Sequence, residues 1–141
     1  MFNQYLQDQN WLALILATLA YWTVGAAWFS FLFGKTWMAE QEKNGTRIER
    51  PSKQEFMGMM IGNFIYNLLI VFGISYIVFI TGCIRFDSAL KMGALIGVCI
   101  SFSTLGSNYI WVKKSMKLLL LDGGYHAAGS IIAALILGLW R

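Results

Sequence analysis

Charge is what this sequence has least of: Asp, Glu, Lys and Arg make up 13% of 141 residues, against 57% hydrophobic residues. A soluble domain carries about 25% charged and about 45 to 50% apolar residues. With a mean hydropathy of +0.58, the chain has too little polar surface to cover one soluble core. Proline occurs once and cysteine twice, which excludes collagen-like, proline-rich and disulfide-scaffold architectures. The absence of any Cys-x-x-Cys argues against a membrane dithiol oxidoreductase. No Lys or Arg precedes Lys35, so the basic leader of a cleavable signal peptide is missing. The first apolar run is therefore expected to stay in the mature protein. What remains is an integral membrane protein with a single membrane domain over residues 1–141.

The apolar residues fall into four runs, at about 11–33, 56–80, 89–111 and 118–140. Each clears the roughly 18 to 20 residues needed to cross a hydrocarbon core about 30 Å thick. Only Lys91 and Asp122 are charged within them, and both lie near a run's end. None shows the short alternating segments of a membrane barrel, and lipid cannot satisfy exposed backbone, so each run reads as a helix. The expected fold is all-α: a polytopic, compact antiparallel four-transmembrane-helix bundle with short connections. Trp11, Trp37, Trp111 and Trp140 fall at the predicted boundaries, where indole rings anchor at the headgroup level.

Loops 34–55 and 112–117 share one side and hold eight Lys and Arg residues, whereas the other side holds Arg85, Lys91 and Arg141. The positive-inside rule places both loops in the cytoplasm and both termini outside, in an inner membrane. Glu40, Glu42, Glu49 and Glu55 interrupt the basic loops, so the partner they suit is the lipid bilayer and not nucleic acid. Cys83 near the end of the second run and Cys99 deep in the third read as free thiols.

Small residues four apart mark close helix approach in lipid. Gly58 with Gly62, Gly93 with Gly97, and Gly129 with Ala133 are expected at helix contacts. Polar residues recur at helical spacing on the cytoplasmic side: Asn63 with Asn67, Ser101 with Thr104 and Asn108, and Asp122 with His126 and Ser130. At 1.5 Å per residue the last three lie about 6, 12 and 18 Å into their run. An intramembrane ionisable group faces a bundle interior or a watered cavity, so Asp122 needs a partner. His126, one turn on, is one candidate. Two readings stand side by side. In one, Asp122, His126, Asn63, Asn67, Ser130, Thr104 and Asn108 contribute to a ligand or ion site. In the other, Asp122 caps the start of the helix and His126 bonds to an Asn or a carbonyl. Gly123 and Gly124 also suit a helix start or kink, whose free amides would face an anionic group.

Several short motifs carry a family resemblance: Asn10-Trp11, Gly25 followed by Trp28-Phe29-Ser30, Phe33-Gly34-Lys35, Trp37-Met38, and Asp122 with Gly124-Tyr125-His126. Over nearly its whole length the chain resembles small four-helix bacterial membrane proteins catalogued as domain of unknown function 1761. That family often has Tyr and then Ser-Pro after the first of these Trp residues, where this chain has Phe29, Ser30 and Phe31. The resemblance implies a fold and brings no activity.

The polar cluster motivates a homo-oligomeric carrier or channel for a small solute or ion, with Asp122 and His126 as ligands and the asparagines orienting it. The alternative is a structural or accessory membrane subunit that binds lipid or a partner membrane protein. The first run has no Asp or Glu, so the carboxylate of a small multidrug exporter is absent. Catalysis is disfavoured because Asp122, His126 and Ser130 follow one another along one helix and cannot converge as a triad. One histidine and no Cys or His cluster leave no set for zinc or haem, so no cofactor or metal is expected.

Overall fold

The computed structural model describes residues 1–140; Arg141, counted above in the charge bias, lies outside the described residues. Six helices follow in order: α1 (Phe2–Asp8), α2 (Trp11–Leu32), α3 (Gly34–Lys43), α4 (Lys53–Thr81), α5 (Phe86–Trp111) and α6 (Met116–Leu139). No strand occurs among the described residues. Helices α2, α4, α5 and α6 are long and apolar enough to cross a membrane, at the four places the hydropathy indicates.

Local chemistry sets where these helices begin. Asn10 opens α2 by accepting the Ala13 amide on its side-chain oxygen at 3.1 Å. Ser52 opens α4 through a reciprocal capping box: its hydroxyl accepts from Glu55 N–H, and the Glu55 carboxylate accepts from Ser52 N–H at 2.8 Å. Ser115 caps α6 through the Leu118 amide at 3.2 Å. At the other end of α4, Gly82 takes a left-handed conformation (φ 63°) and turns the chain toward α5.

Helix α6 lies at the centre and is the most buried of the four spans, with α2, α4 and α5 packed around it. The core joins Ala13, Leu14, Ala17 and Tyr21 of α2 to Val71, Ile74 and Val78 of α4, Ile96 of α5, and Tyr125, Ala133, Ala134 and Leu137 of α6. The crossings are as close as the small residues allow. A Cβ placed on Gly93 would stand 2.5 Å from Ile131 Cα, one on Gly97 2.6 Å from Ala127 Cα, and one on Gly129 2.5 Å from the Tyr21 ring. Two stretches widen into π-helix, Trp28–Leu32 at the end of α2 and Leu95–Phe102 in the middle of α5.

The short helix α1, which no periodicity announces, is held by its one buried side chain. Tyr5 stands edge-on to Phe72, Tyr76 and Phe79 of α4, with ring centroids 5.2 to 5.6 Å apart.

The structure departs from two sequence readings. Helix α6 runs unbroken through Gly123 and Gly124, and its cap is Ser115, so Asp122 is not a helix cap. Lipid leaves no water to satisfy an opened turn, and these glycines make room for rings instead: Phe102 lies over Gly123 and Trp28 over Gly124. The first half of α4, residues 53–66, stands largely clear of the other spans. Consequently Gly58 and Gly62 meet nothing within 4 Å and form no contact inside the protomer.

Candidate functional site

Helix α3 and the first turns of α6 are joined by a set of polar contacts. Asn44, at the end of α3, accepts from Ser115 N–H at 2.7 Å and donates to the Ser115 hydroxyl at 3.2 Å. Lys117 lies 3.6 Å from the buried carboxylate of Glu40. One turn deeper, Asp122 takes two hydrogen bonds: Trp37 of α3 donates its indole N–H at 2.8 Å, and Tyr109 of α5 donates its hydroxyl to the other oxygen. Both oxygens are thus engaged by neutral donors, and no ion pair reaches Asp122 among the described residues. Next to it, the Trp28 indole donates to the Leu121 carbonyl at 3.0 Å.

An aromatic stack continues from this anchor into the bundle. Trp37 meets Phe29 (5.4 Å), Phe29 meets Tyr125 (5.5 Å), and Tyr125 meets Tyr21 at 5.5 Å with the rings perpendicular. Gly25 lets this stack close, since a Cβ there would stand 2.8 Å from the Tyr125 ring. Gly34 lets the chain turn into α3, because a Cβ there would run into the Phe29 carbonyl. At the deep end, Tyr21 hydrogen-bonds to His126 Nδ1 at 2.9 Å and lies 3.2 Å from the His126 carbonyl. Tyr125 donates to Asn67 Oδ1 at 3.1 Å, tying α6 to α4.

The residues expected to form one polar cluster thus separate. Asn67 and Ser130 are buried in the core, and Asp122 and His126 are half-buried on α6. No hydrogen bond or ion pair joins Asp122 to His126 among the described residues; each is held by aromatic side chains from other helices. Asn63, Thr104 and Asn108 are exposed on the outside of α4 and α5, so they do not join a cavity inside the bundle. Thr104 does share an open groove with His126, lined also by Ile70, Ile100, Ser101 and Leu105. Gly93, Gly97 and Gly129 sit at the helix crossings expected of them. Trp11, Trp111 and Trp140 are exposed at helix ends, whereas Trp37 is turned inward to Asp122.

Sequence reasoning missed Tyr21 and Tyr109 as partners of His126 and Asp122. Their hydroxyls are 105 and 13 residues away from those partners, and helical spacing reports only neighbours on one helix. Most of the motifs that carry the family resemblance converge: Gly25, Trp28, Phe29, Gly34, Trp37, Asp122, Gly124, Tyr125 and His126 build the anchor and its stack, whereas Asn10-Trp11 lies at the other end of α2. The profile of the family described as protein of unknown function (DUF1761) matches residues 12–138. No curated protein and no solved structure matches the chain.

Proposed function

The chain belongs to this family of unknown function, and from that premise we propose that it is a helix-binding membrane subunit that self-associates through the exposed half of α4. The observation that carries this reading is Asn63. Its side-chain amide is exposed on an apolar span, about 15 Å from the helix start at 1.5 Å per residue, and makes no hydrogen bond among the described residues. Acyl chains offer that amide nothing, whereas a second α4 offers both a donor and an acceptor. Gly58, Met59, Gly62, Asn63 and Tyr66 fall within about 140° of the helix, counted at 3.6 residues per turn. Met59 and Tyr66 on this face are more than 60% exposed, and the two glycines leave it shallow. A second copy related by a two-fold axis normal to the membrane would bring the glycines into contact and pair the two Asn63 amides.

The engaged state of Asp122 supports the same reading over ion transport. Its oxygens hold α3 against α5 and α6, which is a positioning role. Asp122 is held by Trp37 and Tyr109 and His126 by Tyr21, and no hydrogen bond joins the two among the described residues, which supports a protein without catalytic activity. We place the protein in an inner membrane as a multi-pass subunit, termini outside and basic loops cytoplasmic, on the strength of the charge bias.

Native mass spectrometry from nanodiscs tests the proposal. The wild type is expected as a dimer and Asn63→Leu as a monomer of unchanged thermal stability. A monomeric wild type, or a dimer indifferent to both Asn63→Leu and Gly62→Leu, would overturn it. A carrier is the second reading, favoured by the groove at His126; liposomes holding the protein that pass solute no faster than empty liposomes would remove it.

A further inference from the structure

His126 has a second ring nitrogen, and the structure gives it no partner. Nδ1 is held by Tyr21, while Nε2 makes no hydrogen bond among the described residues, and the side chain lines the groove between α4 and α5. This groove has a volume of about 270 Å³. Its walls are Ile70 of α4 and Ile100 and Leu105 of α5, and its polar groups are His126, Ser101 and Thr104. The Thr104 hydroxyl donates to the Ile100 carbonyl at 2.7 Å and keeps its lone pairs free, whereas the Ser101 hydroxyl has no partner among the described residues.

Depth restricts what can reach these groups. His126 lies ten residues into α6 and Ser101 ten residues before the end of α5, each about 15 Å from the helix end at 1.5 Å per residue. That is the middle of a hydrocarbon layer about 30 Å thick. The groove is open on its flank between two spans, so its occupant arrives from the bilayer. No charged side chain lines it, which makes an ion or a charged headgroup a poor fit. An acyl chain fits the walls but leaves the Nε2 and Ser101 groups unsatisfied in hydrocarbon, a costly arrangement. Apolar walls with a few convergent polar groups describe a site that orients one small polar head.

We propose that the groove binds the ring head of a neutral, bilayer-soluble carbonyl or hydroxyl compound, the chemistry of an isoprenoid quinone or its quinol. Both tautomers of His126 fit this class. When Nδ1 accepts from Tyr21, Nε2 carries the hydrogen and donates to a quinone carbonyl. When Nδ1 donates to the Tyr21 oxygen, the Tyr21 hydroxyl turns to the His126 carbonyl 3.2 Å away, and Nε2 accepts from a quinol hydroxyl. Ser101 and Thr104 contribute the remaining contacts to the head, and the groove's small volume leaves the tail in lipid. Gly58, Gly62 and Asn63, on which the proposed self-association rests, are not among the residues that line the groove.

The chain has one histidine, so ¹⁵N-histidine labelling of the full protein in nanodiscs gives one pair of ring signals. The probes are a benzoquinone with a decyl tail, its quinol, decanol and decane. The Nε2 resonance is expected to shift saturably with the quinone or the quinol and to stay still with decane. Ser101→Ala is expected to weaken binding about three- to tenfold, the loss of one hydrogen bond. Leu105→Trp fills the groove from its apolar wall and is expected to abolish the shift while the Nδ1 signal still reports Tyr21. An Nε2 signal unmoved by both ring probes overturns the proposal. So does a shift of equal size with decanol or decane, or one that survives Leu105→Trp.

Discussion

Trp37 reaches from the short helix α3 to donate its indole N–H to Asp122, 85 residues later in the chain, at 2.8 Å. Tyr109 donates to the other carboxylate oxygen, so a single acid joins three helices. Removing either donor exposes the same carboxylate, which makes the pair thermodynamically coupled.

Trp37→Phe and Asp122→Asn are each expected to lower stability by about 1 to 3 kcal/mol, since each leaves a polar group short of a partner. The double variant should lose less than the sum, with a coupling of about 0.5 to 3 kcal/mol. Thermal unfolding of the four proteins in one detergent measures it. Strict additivity would show that the indole and the carboxylate act separately.

Tyr125 and Asn67 offer a contrast of sign. Asn67→Leu leaves the Tyr125 hydroxyl buried without its acceptor and is expected to cost about 1 to 3 kcal/mol. Adding Tyr125→Phe removes the stranded hydroxyl, so the double variant should recover part of that loss. Equilibrium unfolding in the same detergent would refute the pairing if Tyr125→Phe made Asn67→Leu worse.

Glycines of equal spacing should respond unequally. Gly129→Val drives a side chain into Tyr21 and is expected to destabilise by about 1 to 3 kcal/mol or to prevent folding. Gly62→Val enters open space and should leave the monomer's melting temperature within a degree or two while shifting the mass distribution from dimer to monomer. Equal melting temperatures for the two variants would contradict the crossing at Gly129.

Asn44 exchanges two hydrogen bonds with Ser115 at the seam between α3 and α6. Asn44→Ala is expected to raise amide exchange across α3 at least tenfold while leaving the core of α6 protected, because the seam opens without global unfolding. Unchanged exchange in residues 34–43 would count against a docked α3.

The spans were legible because lipid imposes one strong rule, a long apolar run with its backbone satisfied internally. Their starts were less legible: α4 begins at Lys53, a turn before its apolar residues do, because the Ser52 capping box sets it there. Asp122 and His126 stood out because an ionisable group in hydrocarbon is expensive. Their partners did not, since Tyr21, Trp37 and Tyr109 are ordinary aromatic residues until the helices are placed side by side. Asp122 with Gly123 and Gly124 suited a helix start or a kink as one alternative, because glycine loosens helices in water. In the bundle, Phe102 and Trp28 occupy the space those two residues leave. The π-helical turns had no signal at all, as a one-residue widening leaves hydropathy unchanged.

The central position of α6 sets an order of events in biosynthesis. It is the last of the four spans to emerge, yet it supplies the partners of Tyr21, Asn67 and Tyr109. Until residues 116–139 have been inserted, those three side chains of the earlier spans are without them. The earlier spans can pack on one another through contacts such as Trp22 with Phe64, but a chain halted after α5 would hold these three hydrogen-bonding side chains in the membrane unmatched.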